Sequence, residues 1–225
     1  ELELLNVWKD EIPAEVFTET FTPPMTDGSG NDRKNLLKAK EILEKEGWFV
    51  EDGKLVKDGK EFKFEFLIVS PSDEKIALAY QSNLKKLGIT MDVRTVDSSQ
   101  YQERLLSYDF DMIKRYWGVS LSPGNEQQFY WGSEVGQKDG SRNYPGINSP
   151  AVDALIEKLI SATNREELTT AIHALDRVLL WGHYVVPLYH SNKDRIAYWD
   201  FFEYPDEIPL YGIVIESWWI NKDKQ

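Results

Sequence analysis

Between Phe62 and Trp117 the sequence switches repeatedly between a period of two and a helical period, and this constrains the fold more than any other feature. FKFEFLIV (Phe62 to Val69) alternates Phe62, Phe64 and Phe66 and then runs apolar, which predicts a strand half exposed at first and buried later. Asp73 to Leu87 follows as a helix with Ile76, Ala77, Ala79, Tyr80 and Leu84 on one side, stopped by Gly88. Ile89 to Val96 reads as a strand, Tyr101 to Tyr108 as a short helix started by Ser98 or Ser99, and Phe110 to Trp117 as the next strand. That β-α-β-α-β order predicts an α/β domain with parallel strands and right-handed connections. In open sheets of this kind, ligands bind beyond the carboxyl ends of the strands.

The residues at that end are distinctive. RYWGVSLSPGNEQQFYWG (Arg115 to Gly132) holds two Tyr-Trp pairs, Tyr116-Trp117 and Tyr130-Trp131, around a polar middle with a turn signal at Pro123-Gly124. Aromatic rings beside the amides of Asn125, Gln127, Gln128 and Asn143 suit a ligand rich in amide groups. Arg142 can meet a ligand carboxylate through two parallel hydrogen bonds, or serve only as a surface ion-pair partner. The expected ligand-facing set is Tyr116, Trp117, Ser120, Asn125, Glu126, Gln127, Arg142 and Asn143. The competing reading makes the rings core and the middle a plain loop.

Charge narrows the partners. Lys plus Arg number 26 and Asp plus Glu 38, so the net charge is −12. Such a surface repels a phosphate backbone, which argues against nucleic acid, and it disfavours anionic lipid. The absence of cysteine excludes disulfides and thiolate metal sites. The histidines His173, His183 and His190 fall in no metal-ligand spacing, so neither a metal nor a cofactor is expected. No apolar run approaches the roughly 20 residues of a membrane span. The sequence shows no leader peptide and opens without Met, in the manner of a piece of a longer chain.

Outside the alternating region, residues 1–30 read as irregular, with Leu2, Leu4, Leu5, Val7 and Trp8 able to pack a short helix or turn. Asn31 or Asp32 caps a helix from Arg33 to Glu46, and WFVEDGKLV (Trp48 to Val56) reads as a hairpin turned at Asp52-Gly53. Gly132 to Asn148 is polar and glycine-rich. Ser149-Pro150 opens a helix to Ser161, and Asn164 caps another from Arg165 to Trp181. Tyr184 to Tyr189 and Arg195 to Trp199 read as short strands, before an apolar, aromatic tail from Ile208 to Ile220.

No nucleotide-binding glycine loop and no GxSxG elbow is present. The enzymatic alternative is a carboxylate-pair glycoside hydrolase drawing on Asp109, Asp111, Glu126 or Glu134 with the rings as sugar platforms. A further alternative is an interaction domain that docks its aromatic face on another protein.

Seven stretches together carry a family likeness: LLKAKEILEKEGW, NLKKLGITMDVRTVD, FDMIKRYWG, NSPAVDALIEKL, ALDRVLLWGHYVVPLYH, and SLSPGNEQ with GSRNYPGI. In order and content they resemble the C-terminal lobe of the family 5 extracellular solute-binding proteins, the peptide and nickel receptors of ABC importers. The last pair looks most like the Yej-type peptide-binding subgroup. The resemblance implies a type II periplasmic-binding-protein lobe, a mixed sheet with a parallel β-α-β-α-β core flanked by helices. It implies a non-enzymatic receptor in the periplasm that closes on an oligopeptide or peptide-like ligand and delivers it to ABC-transporter permease subunits. Residues 1–30 would lead in near a hinge, 31–207 would form the ligand-binding lobe, and 208–225 would return toward an N-terminal lobe that this sequence lacks. The family's peptide binders hold the ligand amine with an Asp shortly after the Trp that Trp117 matches. No Asp lies between Trp117 and Tyr130 here, Ser120 stands nearby, and Glu126 is the acid that could substitute.

Overall fold

The chain opens, as expected, on short turns of helix, and residues 19–30 form no helix or strand. The computed structural model describes residues 1–30, 32–118, 120–136, 138–188, 191, 193–210 and 212–224, in two compact units, Glu1–Tyr184 and Val185–Gln225. Helix α1 (Leu2–Leu5), a 3-10 turn (Asn6–Trp8) and helix α2 (Glu15–Thr18) bury Leu5, Ile12 and Val16, while Leu2 and Val7 stay exposed. Arg177 ties this segment down by donating to the carbonyls of Val16 and Glu19.

Capping chemistry sets the next elements. Asp32 accepts from the Asn35 N–H at 3.3 Å and starts α3 (Arg33–Lys45); Asn31, the other expected cap, lies outside the described residues. Strands β1 (Phe49–Glu51) and β2 (Lys54–Lys57) form the expected hairpin, and β3 (Lys60–Glu61) adds a third antiparallel strand. After β4 (Lys63–Ile68), Ser70 caps α4 (Pro71–Lys85). Gly88 then turns the chain at φ +80°, and its carbonyl accepts from the Leu55 N–H at 2.7 Å. A Cβ there would stand 2.8 Å from the Leu55 nitrogen, which is backbone and cannot swing away. Gly88→Ala is therefore expected to cost about 3 kcal/mol in urea unfolding, since it combines a left-handed φ with a backbone clash.

Strand β5 (Thr90–Thr95), helix α5 (Ser98–Leu106) and strand β6 (Met112–Ile113) complete the alternation. The cap of α5 is Asp97, one residue before the expected serines; its carboxylate takes the N–H groups of Ser99 and Gln100. The sheet order is β5-β4-β6 and every pairing is parallel, as the alternation predicts. Its two faces are both covered. Phe66, Ile68 and Met91 pack with Ala77 and Leu84 of α4, whereas Leu67 packs with Val96, Tyr101 and Leu105.

The strand expected over Phe110 to Trp117 shrinks to Met112–Ile113. Side chains interrupt it at both ends. Before it, the Asp111 carboxylate accepts the Glu65 N–H at 2.8 Å. After it, Lys114 and Arg115 are drawn to Asp73 and Tyr144, and the chain leaves the sheet.

Helices α6 (Glu126–Trp131) and α7 (Ser133–Gly136) occupy segments read as loop. Helices α8 (Pro150–Ile160) and α9 (Arg165–Trp181) start at Ser149 and Asn164 as expected, each cap accepting from an N–H three residues on. Leu155, Ile156 and Leu159 meet Ala171, Leu175 and Val178, with Leu5 and Val16 in the same cluster.

In the second unit, β7 (Phe202–Glu203) pairs antiparallel with β8 (Trp219–Ile220). The strands expected at Tyr184 to Tyr189 and Arg195 to Trp199 are not formed: their described residues have no ladder partner, and Tyr189 lies outside the described residues, as does His190. Among the described residues no helix is long and apolar enough to cross a membrane.

Candidate functional site

Strands β4, β5 and β6 are parallel, so Ile68, Thr95 and Ile113 end on one edge of the sheet. Two cations emerge there, on Lys114 and Arg115. The Lys114 ammonium pairs with Asp73 in the first turn of α4, and each side chain is only 14% exposed. The bond to Asp73, and then that to Tyr116, holds the lysine pKa above its usual range. Arg115 lies 4.8 Å over the Tyr144 ring and donates from Nη2 to its hydroxyl at 3.0 Å. Next in the chain, the Trp117 ring centroid is 5.3 Å from that of Trp131, at 32°, and 6.5 Å from that of Tyr144. These three rings and the guanidinium form one shelf at the strand exit.

Helix α6 is what returns Trp131 to that shelf. Its first turn is closed by Glu126, whose Oε1 accepts the Gly124 N–H at 3.0 Å and the Gln127 amide at 3.3 Å. The Gln127 oxygen in turn accepts the Trp131 indole N–H at 2.9 Å, and Tyr130 donates to the Gly118 carbonyl at 2.9 Å. Burial raises the Glu126 pKa, but the Gly124 N–H, its own N–H and the Gln127 amide outweigh it, and the net shift is downward. The carboxylate is thus held charged, and among the described residues no cation pairs with it.

Tyr144 reaches the shelf through a loop organised by Asn143. That side chain is fully buried. Its Nδ2 donates to the carbonyls of Gly132 at 3.0 Å and Ile147 at 2.8 Å, and its Oδ1 accepts the Ile147 N–H at 2.9 Å. Gly136 leaves it room: a Cβ there would come within 2.6 Å of Nδ2. A hydroxyl bond between Tyr108 and Ser141 pins the same loop.

The expected ligand-facing residues therefore fall into two groups. Tyr116, Ser120, Asn125 and Arg142 are exposed, Tyr116 at 77%, and Trp117 and Glu126 are half-buried. Gln127 and Asn143 are buried, with their amides committed to Trp131 and to the 132–147 loop. Arg142 makes no ion pair among the described residues, while Ser120 bonds within its own turn to Ser122. The reasoning from sequence left Arg115, Trp131 and Tyr144 out of the set. Trp131 carried a signal, as half of the second Tyr-Trp pair; Tyr144 carried none.

Of the acids near the shelf, three make structural bonds through one oxygen each and Glu134 is exposed. Asp109 pairs with Arg104 at 2.8 Å, Asp111 accepts a backbone N–H, and Glu126 closes its own helix. No group of three or more acidic or histidine residues able to hold a metal occurs among the described residues. Two donors of the shelf, the Arg115 Nε and the Trp117 Nε1, are buried with no acceptor among the described residues.

Comparisons with known proteins bear on the family and the fold. The sequence model of the bacterial extracellular solute-binding proteins, family 5 Middle, matches residues 9–139, more than half of the chain. Protein y4wM of Sinorhizobium fredii is 49% identical over 97% of this chain and 34% of its own length. The probable peptide-binding protein YejA of Agrobacterium fabrum is 42% identical over 99% of this chain and 37% of its own. The chain thus spans about a third of the length of the curated relatives it matches. Among solved structures, the oligopeptide-binding protein AppA of Bacillus subtilis, in complex with a nonapeptide, superposes with a TM-score of 0.60 over 80% of this chain and 38% of its own. At 23% identity that likeness is one of fold. With a family match over more than half its residues, the chain belongs to the family 5 bacterial extracellular solute-binding proteins.

Proposed function

We propose that this chain is the C-terminal lobe of a periplasmic receptor for oligopeptides or peptide-like compounds, serving an ABC importer and doing no chemistry on its ligand. The observation that carries the reading is the aromatic shelf of Trp117, Trp131 and Tyr144 at the carboxyl end of the parallel sheet, with the charged Glu126 beside it. Flat rings accept varied side chains, and donors and acceptors around them suit a peptide backbone. The name of the Agrobacterium relative and the peptide bound to AppA support the ligand class. In this reading residues 31–207 form the ligand-binding lobe and 208–225 lead toward an N-terminal lobe, and permease subunits receive the ligand. Trp117 and the exposed Tyr116, Ser120, Asn125 and Arg142 contact the ligand, and Gln127 and Asn143 hold the shelf from behind.

Glu126 takes the place of an aspartate as the counter-charge for the ligand's amine. Glu126→Gln in the longer protein is expected to weaken binding of peptides with a free amine by about tenfold, and to leave N-acetylated peptides unaffected. Equal loss for both peptide sets counts against the assignment of Glu126 alone. The reading as a whole is tested by mass spectrometry of what co-purifies with the longer protein: peptides or peptide-bearing compounds are expected, and a purely saccharide or metal-chelate cargo contradicts it.

A further inference from the structure

We propose that the Val185–Gln225 unit carries a separate site for a small alkylammonium compound. A pocket of about 200 Å³ opens within this unit. Its walls include Tyr198, Tyr204 and Trp218, and Asp194 and Glu207 stand at the same pocket. Tyr198 is nearly perpendicular to both other rings, at 5.8 Å and 86° from Tyr204 and 5.0 Å and 79° from Trp218. Tyr204 and Trp218 are themselves 5.1 Å apart at 34°, so the three rings pack on one another as one cluster at the pocket wall. Tyr198 is 47% exposed and Tyr204 44%, so part of the cluster is reachable from solvent.

The chemistry of the lining selects the occupant. Ring faces carry negative quadrupole potential and attract a cation lying over them. Two carboxylates at the same pocket add negative charge, and neither pairs with a lysine, arginine or histidine among the described residues. An anion is repelled here. A hard metal ion needs several oxygen ligands in one sphere, and no such group occurs among the described residues. An alkylammonium satisfies both parts of the wall, its charge facing the carboxylates and its methyl or methylene groups lying on the rings and on Ile208. The site shares no residue with the aromatic shelf.

The test is a calorimetric titration of the 225-residue chain with choline and with its uncharged carbon isostere, 3,3-dimethylbutan-1-ol. Choline is expected to saturate in the low millimolar range and to bind at least about tenfold tighter than the isostere. Trp218→Ala and Glu207→Gln should each weaken choline by about fivefold or more. Glu207 is exposed, so its variant leaves the fold intact even if Trp218→Ala does not. Equal affinity for the two probes, no saturation by choline below about 50 mM, or an unchanged affinity in Glu207→Gln overturns the proposal.

Discussion

Asn143→Ala is expected to lower the stability of the first unit by about 4 kcal/mol and to loosen the aromatic shelf with it. The side chain is fully buried, and its amide satisfies three backbone groups, the carbonyls of Gly132 and Ile147 and the N–H of Ile147. Removing it strands those groups away from water, at about 1–3 kcal/mol each, and leaves a small cavity. The damage is not confined to stability, because this amide fixes the loop that delivers Tyr144 to Arg115 and Trp117. Urea unfolding gives the stability loss, and near-ultraviolet circular dichroism follows the Trp117–Trp131 pair. A loss below about 1 kcal/mol with an unchanged aromatic spectrum would show that the loop is held by something else.

Asp73→Ala is the second large effect, with an expected cost of about 3 kcal/mol. It leaves the Lys114 ammonium in a position only 14% exposed with no counter-charge. Replacing both partners together, Asp73→Leu with Lys114→Met, should recover most of that loss, since an apolar pair carries no desolvation penalty. The same pair predicts a pH dependence. The folded-state pKa of Lys114 is raised above its ordinary 10.5. Its stabilisation is therefore complete below about pH 10 and is lost as the pH rises beyond the unfolded value. Wild type should lose stability in that alkaline window more steeply than the double variant. If the two curves run parallel above about pH 10, the pair does not stabilise the sheet edge.

Much of the fold was legible because local chemistry writes it. Ser149 with Pro150, and Asn164, are helix starts whose caps need only neighbours a few residues away. The switch from alternating phenylalanines to a helical stripe is equally local, and it gave parallel strands with both faces covered. What sequence could not carry was the competition of side chains with the ladder. Met112–Ile113 stays short because Asp111 and Arg115 find partners in Glu65 and Tyr144, 46 and 29 residues away. Helix α6 was hidden by Pro123-Gly124, a turn signal that in fact precedes a helix whose own glutamate closes it. Asn143 and Gln127 turned inward through bonds to near neighbours in the chain, but an amide in a polar stretch looks identical whether it faces a ligand or holds a loop.

A peptide titration of the longer protein, wild type against Trp117→Ala, tests the central claim most directly. Trp117 joins Trp131 and Tyr144 in the shelf without supporting the sheet, so the variant should fold. Loss of a central aromatic anchor is expected to weaken a co-purified peptide by at least about tenfold. A peptide affinity unchanged in the folded variant would contradict the account.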